Sequence, residues 1–152
     1  MYCPNGLIVH LDGPFVGRRH DAGIFQESSL LEQLIRKVNT NGDAVYLYGD
    51  PAYPLLPQLI VPYRGANVTQ DQHDFNRSMT PLRICVEWGF GEVLKTFAFL
   101  DHRKNMKLFL QPVGLLYKVA VILTNCRTCL YKNQTAEYFQ LAPPRLQEYL
   151  SQ

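Results

Sequence analysis

The sequence predicts an α/β domain with a partly parallel sheet. Three observations carry that expectation. Short apolar runs are bounded by Gly, Pro, Asn and Asp; helix-period apolar stripes open on capping residues; and the two patterns alternate along the chain. At 152 residues the chain has the length of one domain. A composition 47% apolar and 18% charged excludes a disordered or collagen-like chain.

Residues 7–11, Leu-Ile-Val-His-Leu, lie between Asn5-Gly6 and Asp12-Gly13-Pro14 and read as a strand between turns. Asp21 is the expected N-cap of a helical turn over residues 22–26. A clearer helix follows, with Leu30, Leu31, Leu34, Ile35 and Val38 on one face and a capping box made by Ser29 and Glu32. Residues 44–48 form a nearly continuous apolar run that ends at Gly49-Asp50-Pro51, the pattern of a buried strand with a carboxylate at its C-terminal tip. Leu59-Ile60-Val61 reads as one more strand.

Thr69, with Gln72 as its capping-box partner, opens a helix over residues 70–77. Thr80-Pro81 is expected to start a new helix, with Thr as N-cap and Pro in the first helical position. Its buried stripe would be Leu82, Val86, Phe90, Val93 or Leu94, and Phe97. Gly89 and Gly91 inside it cost about 1 kcal/mol each relative to Ala, which points to close packing against another backbone. Residues 113–126 are apolar nearly all round and are expected to form a buried helix; the tail around Pro143-Pro144 is expected to be less ordered.

No run reaches the roughly 18–20 uncharged apolar residues of a membrane span, residues 113–123 being too short and carrying Lys118. No membrane partner is therefore expected. Residues 1–11 lack the basic leader of a signal peptide, so the triplets at Asn67, Asn76 and Asn133 are expected to be chance rather than glycosylation sites. Cys3, Cys85, Cys126 and Cys129 are too few for a secreted disulfide framework, and reduced thiols in an intracellular protein are expected. Cys126-Arg127-Thr128-Cys129 has zinc-knuckle spacing but no second pair follows, so these cysteines read as small core residues. A net charge of +2 permits nucleic-acid binding through local patches without announcing it.

Two carboxylates stand out. Asp50 closes a strand, where open α/β sheets bind ligands, and Glu87 lies one helical turn after Arg83. Paired carboxylates suit hard ions such as Mg²⁺ or Mn²⁺, and two such ions can activate a water and stabilise the leaving oxygen of a phosphodiester. The alternative is a turn-capping Asp50 and a Glu87–Arg83 pair on a solvated helix face.

Gly6-Leu7-Ile8, Gly13-Pro14 and Gly17-Arg18-Arg19-His20-Asp21 resemble the central part of Harbinger-type DDE superfamily transposases and their domesticated nuclease relatives. Gly49-Asp50-Pro51-Ala52-Tyr53-Pro54-Leu55 with Pro62-Tyr63 resembles that family's second acidic block. Phe75-Asn76-Arg77, Arg83-Ile84-Cys85-Val86-Glu87 and Phe90-Gly91 resemble the block with the third acid. The likeness covers roughly residues 4–105, leaving 106–152 as a C-terminal helical extension of a single domain over 1–152.

The resemblance implies an RNase H-like fold, a mixed sheet flanked by helices, and two-metal cutting of DNA with Mg²⁺ or Mn²⁺. It makes Asp50 and Glu87 the catalytic metal ligands, Arg83 and Lys95 their supports, and a Myb-like DNA-binding protein a partner. Lys95 stands one residue further from Phe-Gly than in the family pattern. The family's first acid lies upstream of the part matched by Gly6-Leu7-Ile8, so the chain reads as lacking that acid and the first strands. Asp12 and Asp21 are the candidate stand-ins. Such a loss would impair activity and favour self-association through exposed sheet edges. Arg18, Arg19, Arg103, Lys104 and Lys107 are the candidate DNA contacts, and a DNA substrate places the protein in the nucleus, or failing that the cytoplasm. The reading from another class is an inactive transposon-derived remnant that binds DNA or protein.

Overall fold

A computed structural model of the chain describes residues 1–13, 15, 21–37, 45–100 and 112–151. It is rich in helix, with a small parallel sheet, consistent with an α/β fold. By contacts the chain divides into two compact units, one made of Met1–Gly13 with Ile84–Gln152, the other of Pro14–Arg83.

In the second unit, α1 (Asp21–Glu27) and α2 (Leu30–Lys37) pack together. The expected Ser29 cap is not what opens α2. Ser29 has φ 50°, the left-handed region rather than the extended backbone of an N-cap, and the hydroxyl accepting from Leu30 N–H is that of Ser28, at 3.3 Å. Leu30 and Leu34 are buried as expected, whereas Ile35 is exposed. β1 (Leu47–Tyr48) pairs in parallel with β2 (Leu59–Ile60), Leu47 opposite Leu59 and Tyr48 opposite Ile60. Gly49 N–H continues the ladder to Ile60 C=O at 2.8 Å.

α3 (Gln70–Thr96) opens as predicted: Thr69 N–H donates to Gln72 Oε1 at 3.0 Å, and Gln72 N–H donates to Thr69 Oγ1 at 3.4 Å. It does not stop at Arg77. One helix of 27 residues runs through Pro81, correcting the expected restart at Thr80-Pro81. Thr80 does not cap; its hydroxyl donates back to Asn76 C=O at 2.9 Å inside the helix. Pro81 removes the N–H that Arg77 C=O would accept, and Arg77 is exposed, where solvent can serve that carbonyl.

α3 continues into the first unit, where the expected stripe holds at Val93, the buried one of its two alternatives, and at Phe97, packed on the core, but fails before them. Val86, Phe90 and Leu94 are exposed, and the buried positions are Cys85, Gly89 and Val93. The small residues lie inward because the N-terminal segment crosses here. A Cβ on Gly89 would lie 2.4 Å from Tyr2 Cε2, so only glycine fits beneath that ring. The close approach at Gly89 is thus to a side chain rather than a backbone. A Cβ on Gly91 would meet no other side chain or backbone within 4 Å among the described residues, so crowding there does not explain that glycine.

The expected strand over residues 7–11 is reduced to an isolated antiparallel bridge between Tyr2 and Ile8. Its other edge faces a side chain. Ile8 N–H donates to Asn125 Oδ1 at 3.0 Å and Asn125 Nδ2 donates to Ile8 C=O at 2.8 Å, so one buried amide takes the place of a neighbouring strand. A short 3₁₀ turn, Ala98–Leu100, precedes α4 (Val113–Tyr131). The core joins Val93, Leu100, Ala120 and Val121, with Ile8, Leu11, Phe97, Leu116 and Tyr117 packed around them.

α4 is not buried all round. Its inward face carries Ala120, Val121, Thr124, Asn125 and Thr128, while Leu115, Val119, Ile122, Leu123 and Leu130 are exposed. Its 19 residues reach about 28 Å at the α-helical rise, long and apolar enough by length and composition to cross a membrane, which corrects the shorter span read from the sequence. The tail is ordered. Asn133 caps α5 (Gln134–Tyr138), accepting from Ala136 N–H at 3.0 Å while its amide donates to Gly6 C=O at 2.9 Å. α6 (Leu146–Leu150) packs on α4, where Tyr149 Oη accepts from Asn125 Nδ2 at 3.0 Å. With Asn133 and its amide committed to this network, and Asn76 to another described below, neither is free for glycosylation.

Candidate metal and nucleic-acid site

β1 delivers the first candidate ligand. Beyond the ladder bond at Gly49 the chain turns sharply: Tyr53 N–H donates to Asp50 C=O at 3.0 Å, and Asp50 Oδ1 accepts from Ala52 N–H at 2.9 Å. Pro51 supplies the fixed φ that such a turn favours. Gly49 is confined, since a Cβ there would meet Leu59 Cδ1 at 3.1 Å and Tyr53 Cδ2 at 3.3 Å. Asp50 therefore sits just past the C-terminal end of a parallel strand, with its side chain 56% exposed.

Its other oxygen, Oδ2, faces Arg83 Nη1 at 3.9 Å. At that distance and half exposed, the pair contributes less than about 1 kcal/mol to folding. Arg83 is brought there by residues two turns earlier on α3. Asn76 grips the backbone of Tyr63, accepting from its N–H at 2.9 Å and donating to its C=O at 3.0 Å. Phe75 lies edge-on to Tyr63 (centroids 5.5 Å) and to Tyr48 (6.5 Å). Together they moor the N-terminal half of α3 beside the strand that leads to Asp50. Arg83 also acts on Tyr48: burial pushes that hydroxyl above its ordinary pKa, and the guanidinium draws it back. The mooring role of Asn76 was not legible in the sequence, where Phe75-Asn76-Arg77 stood only as part of a motif; its signal was a short amide seven residues before the arginine.

Glu87 is exposed and lies four residues after Arg83, one turn along the same helix; Lys95 is in the last turn and exposed. Asp50 and Arg83 are thus in contact. Asp50 and Glu87 belong to different compact units. Among the described residues no group of three His, Cys, Asp or Glu side chains is gathered closely enough to hold a metal ion. Asp12, a candidate stand-in for the first acid, spends Oδ1 on Gly13 N–H at 2.8 Å. The side chain of Asp21 and the proposed DNA contacts Arg18, Arg19, Arg103, Lys104 and Lys107 lie outside the described residues.

The family model for the DDE superfamily endonucleases matches residues 1–125. The chain belongs to that family. As a DDE superfamily endonuclease it carries Asp50, Arg83, Glu87 and Lys95 all within the matched span, which extends past residue 105 and takes in α3 whole and most of α4. α5 and α6 follow the match. Among curated proteins and solved structures none matches the chain.

For a hard divalent ion the chemistry of Asp50 and Glu87 is suitable. Both are exposed carboxylates, and Mg²⁺ is commonly bound by one or two carboxylates together with water and substrate phosphate. Against this, Asp50 already serves Arg83 and Ala52 N–H, so an incoming cation competes with a guanidinium.

Proposed function

We propose that this DDE superfamily endonuclease is a Harbinger-type, transposase-derived domain with an RNase H-like fold that cuts DNA. Asp50 and Glu87 would hold Mg²⁺ or Mn²⁺, which supplies an activated water and stabilises the leaving oxygen. Arg83 orients the carboxylates or meets a phosphate, and Lys95 contacts DNA. The observation that carries the reading is the arrangement around Arg83: it pairs with Asp50 at a strand tip, and Glu87 follows one turn later on one continuous helix. A Myb-like protein selects the DNA site, and the protein works in the nucleus.

The test is calorimetric titration of Mn²⁺ into the wild-type chain and into an Asp50→Ala/Glu87→Ala variant, followed by nicking of supercoiled DNA with Mn²⁺. Binding that vanishes in the folded variant supports the reading. A folded wild-type chain that takes up no Mn²⁺ refutes the metal assignment. One observation favours the second reading, an inactive module that binds DNA or protein: the carboxylate of Asp50 is already engaged on both oxygens. DNA binding that is independent of Mn²⁺ and unchanged in the double variant would support it.

A further inference from the structure

Arg83 meets Asp50 through a contact too long and too exposed to fix a helix: 3.9 Å, with both side chains about half exposed. What fixes α3 lies two turns earlier. Half-buried Asn76 bonds both backbone groups of Tyr63, accepting from its N–H at 2.9 Å and donating to its C=O at 3.0 Å. Two bonds to one residue set rotation as well as distance, which a single bond leaves free. Phe75 adds a second fastening, edge-on to Tyr63 and Tyr48. From Tyr63 the path to Asp50 is short and stiff. β2 ends at Ile60, three residues before Tyr63, and its pairing with β1 continues to Gly49, the residue before Asp50. From Asn76 the path to Arg83 is seven residues of unbroken helix, nearly two full turns and about 10 Å, so the two residues share a face. Thr80 Oγ1 ties this stretch back to Asn76 C=O at 2.9 Å.

We infer that Asn76 is a positioning residue: its grip on Tyr63, and not the ion pair, sets where Arg83 stands against Asp50 and thereby how readily Asp50 takes a cation. The Asn76 amide spends both its oxygen and its nitrogen on Tyr63, so its influence on Asp50 runs through Arg83. Arg83 acts as a counter-cation beside the carboxylate and gives way when Asp50 ligates a divalent ion. The competition is bounded by the strength of the pair itself, which is small at this distance and exposure. The consequence for cation entry rests on the metal reading proposed above; the positioning of Arg83 does not.

The experiment is NMR of the full chain, labelled with ¹⁵N-arginine and free of metal, with circular dichroism as the fold control. Arg83→Gln identifies the Arg83 guanidinium resonance. In the wild-type background, Asp50→Asn moves that resonance; in an Asn76→Ala background it is expected to leave it unmoved, because Arg83 no longer stands beside the strand tip. Asn76→Asp keeps an acceptor for Tyr63 N–H and loses only the donor, so it serves in the same comparison where Asn76→Ala fails to fold. Calorimetric titration of Mn²⁺ reads the consequence. The Kd is expected to fall by about two- to fivefold in Arg83→Gln, the range an exposed ion pair spans. It should fall equally in Asn76→Ala and no further in the double variant. An Arg83 resonance that still answers to Asp50→Asn in the folded Asn76 variants overturns the inference, and so do Asn76→Ala and Arg83→Gln effects that add. A wild-type chain that binds no Mn²⁺ refutes the metal reading instead, and the resonance comparison, made without metal, still decides the inference.

Discussion

Gly89 and Gly91 stand two residues apart in one helix, and replacing each by Ala should move stability in opposite directions. Either substitution removes the backbone entropy cost of glycine, a gain of about 1 kcal/mol in a helix interior. At Gly91 nothing among the described residues lies within 4 Å of the added methyl, so the gain should appear nearly whole. At Gly89 the methyl would meet three carbons of the Tyr2 ring at 2.4, 2.8 and 2.9 Å. The ring is not free to slide away. Its hydroxyl donates to Thr135 Oγ1 at 3.1 Å and accepts from Asn133 Nδ2 at 3.2 Å. Overpacking of this kind costs about 1–3 kcal/mol, and each hydrogen bond given up to relieve it costs about 1 kcal/mol more. Gly89→Ala should therefore destabilise by about 2 kcal/mol net of the propensity gain. Urea denaturation followed by the fluorescence of Trp88, the single tryptophan and the neighbour of Gly89, reads both variants. A Gly89→Ala chain as stable as Gly91→Ala would refute the packing of Tyr2 on α3.

Pro81→Ala should stabilise the chain by about 1–3 kcal/mol in the same urea assay, because it restores a missing N–H within a continuous helix; a loss would show that Pro81 starts a helix after all. Asn125→Ala strips Ile8 N–H and C=O and the Tyr149 hydroxyl of their partner and should cost about 2–4 kcal/mol, checked by thermal denaturation. Arg83→Gln should shift the melting midpoint little, since the Asp50 pair is half exposed; a loss beyond about 1 kcal/mol would contradict that weak pairing. Tyr117 is held above its ordinary pKa by burial, so the folded chain binds its proton more tightly than the unfolded one. Its contribution is complete below the unfolded pKa and is lost as pH rises through the folded one. Stability should therefore decline above about pH 10, and less steeply in Tyr117→Phe; equal slopes would refute the assignment.

What could be read from the sequence was local chemistry. The Thr69–Gln72 capping box spans three residues, and the Gly49-Asp50-Pro51 turn is determined by its own residue types. The two short apolar runs were legible as strands, but the parallel pairing of Leu47 with Leu59 was not, because a short connection by itself favours an antiparallel pair. Pro81 misled because a proline suited to a first helical turn is also tolerated mid-helix where the freed carbonyl is exposed. The contacts that decide burial were out of reach for another reason. Ile8 and Asn125 are 117 residues apart, and Tyr2 meets α3 at Gly89. Once that N-terminal segment lies against the helices, small and polar side chains are the ones that fit beneath it. Cys85, Gly89, Thr124, Asn125 and Thr128 turn inward, and Val86, Phe90, Leu115, Val119 and Ile122 are left outside. An apolar circumference thus established that α4 has more than one face to cover, not that its own chain covers them all. The inward face answers to the fold. The outward face is left with the larger apolar side chains Leu115, Val119, Ile122, Leu123 and Leu130, and an apolar run by itself could not say which of the two sets would turn inward.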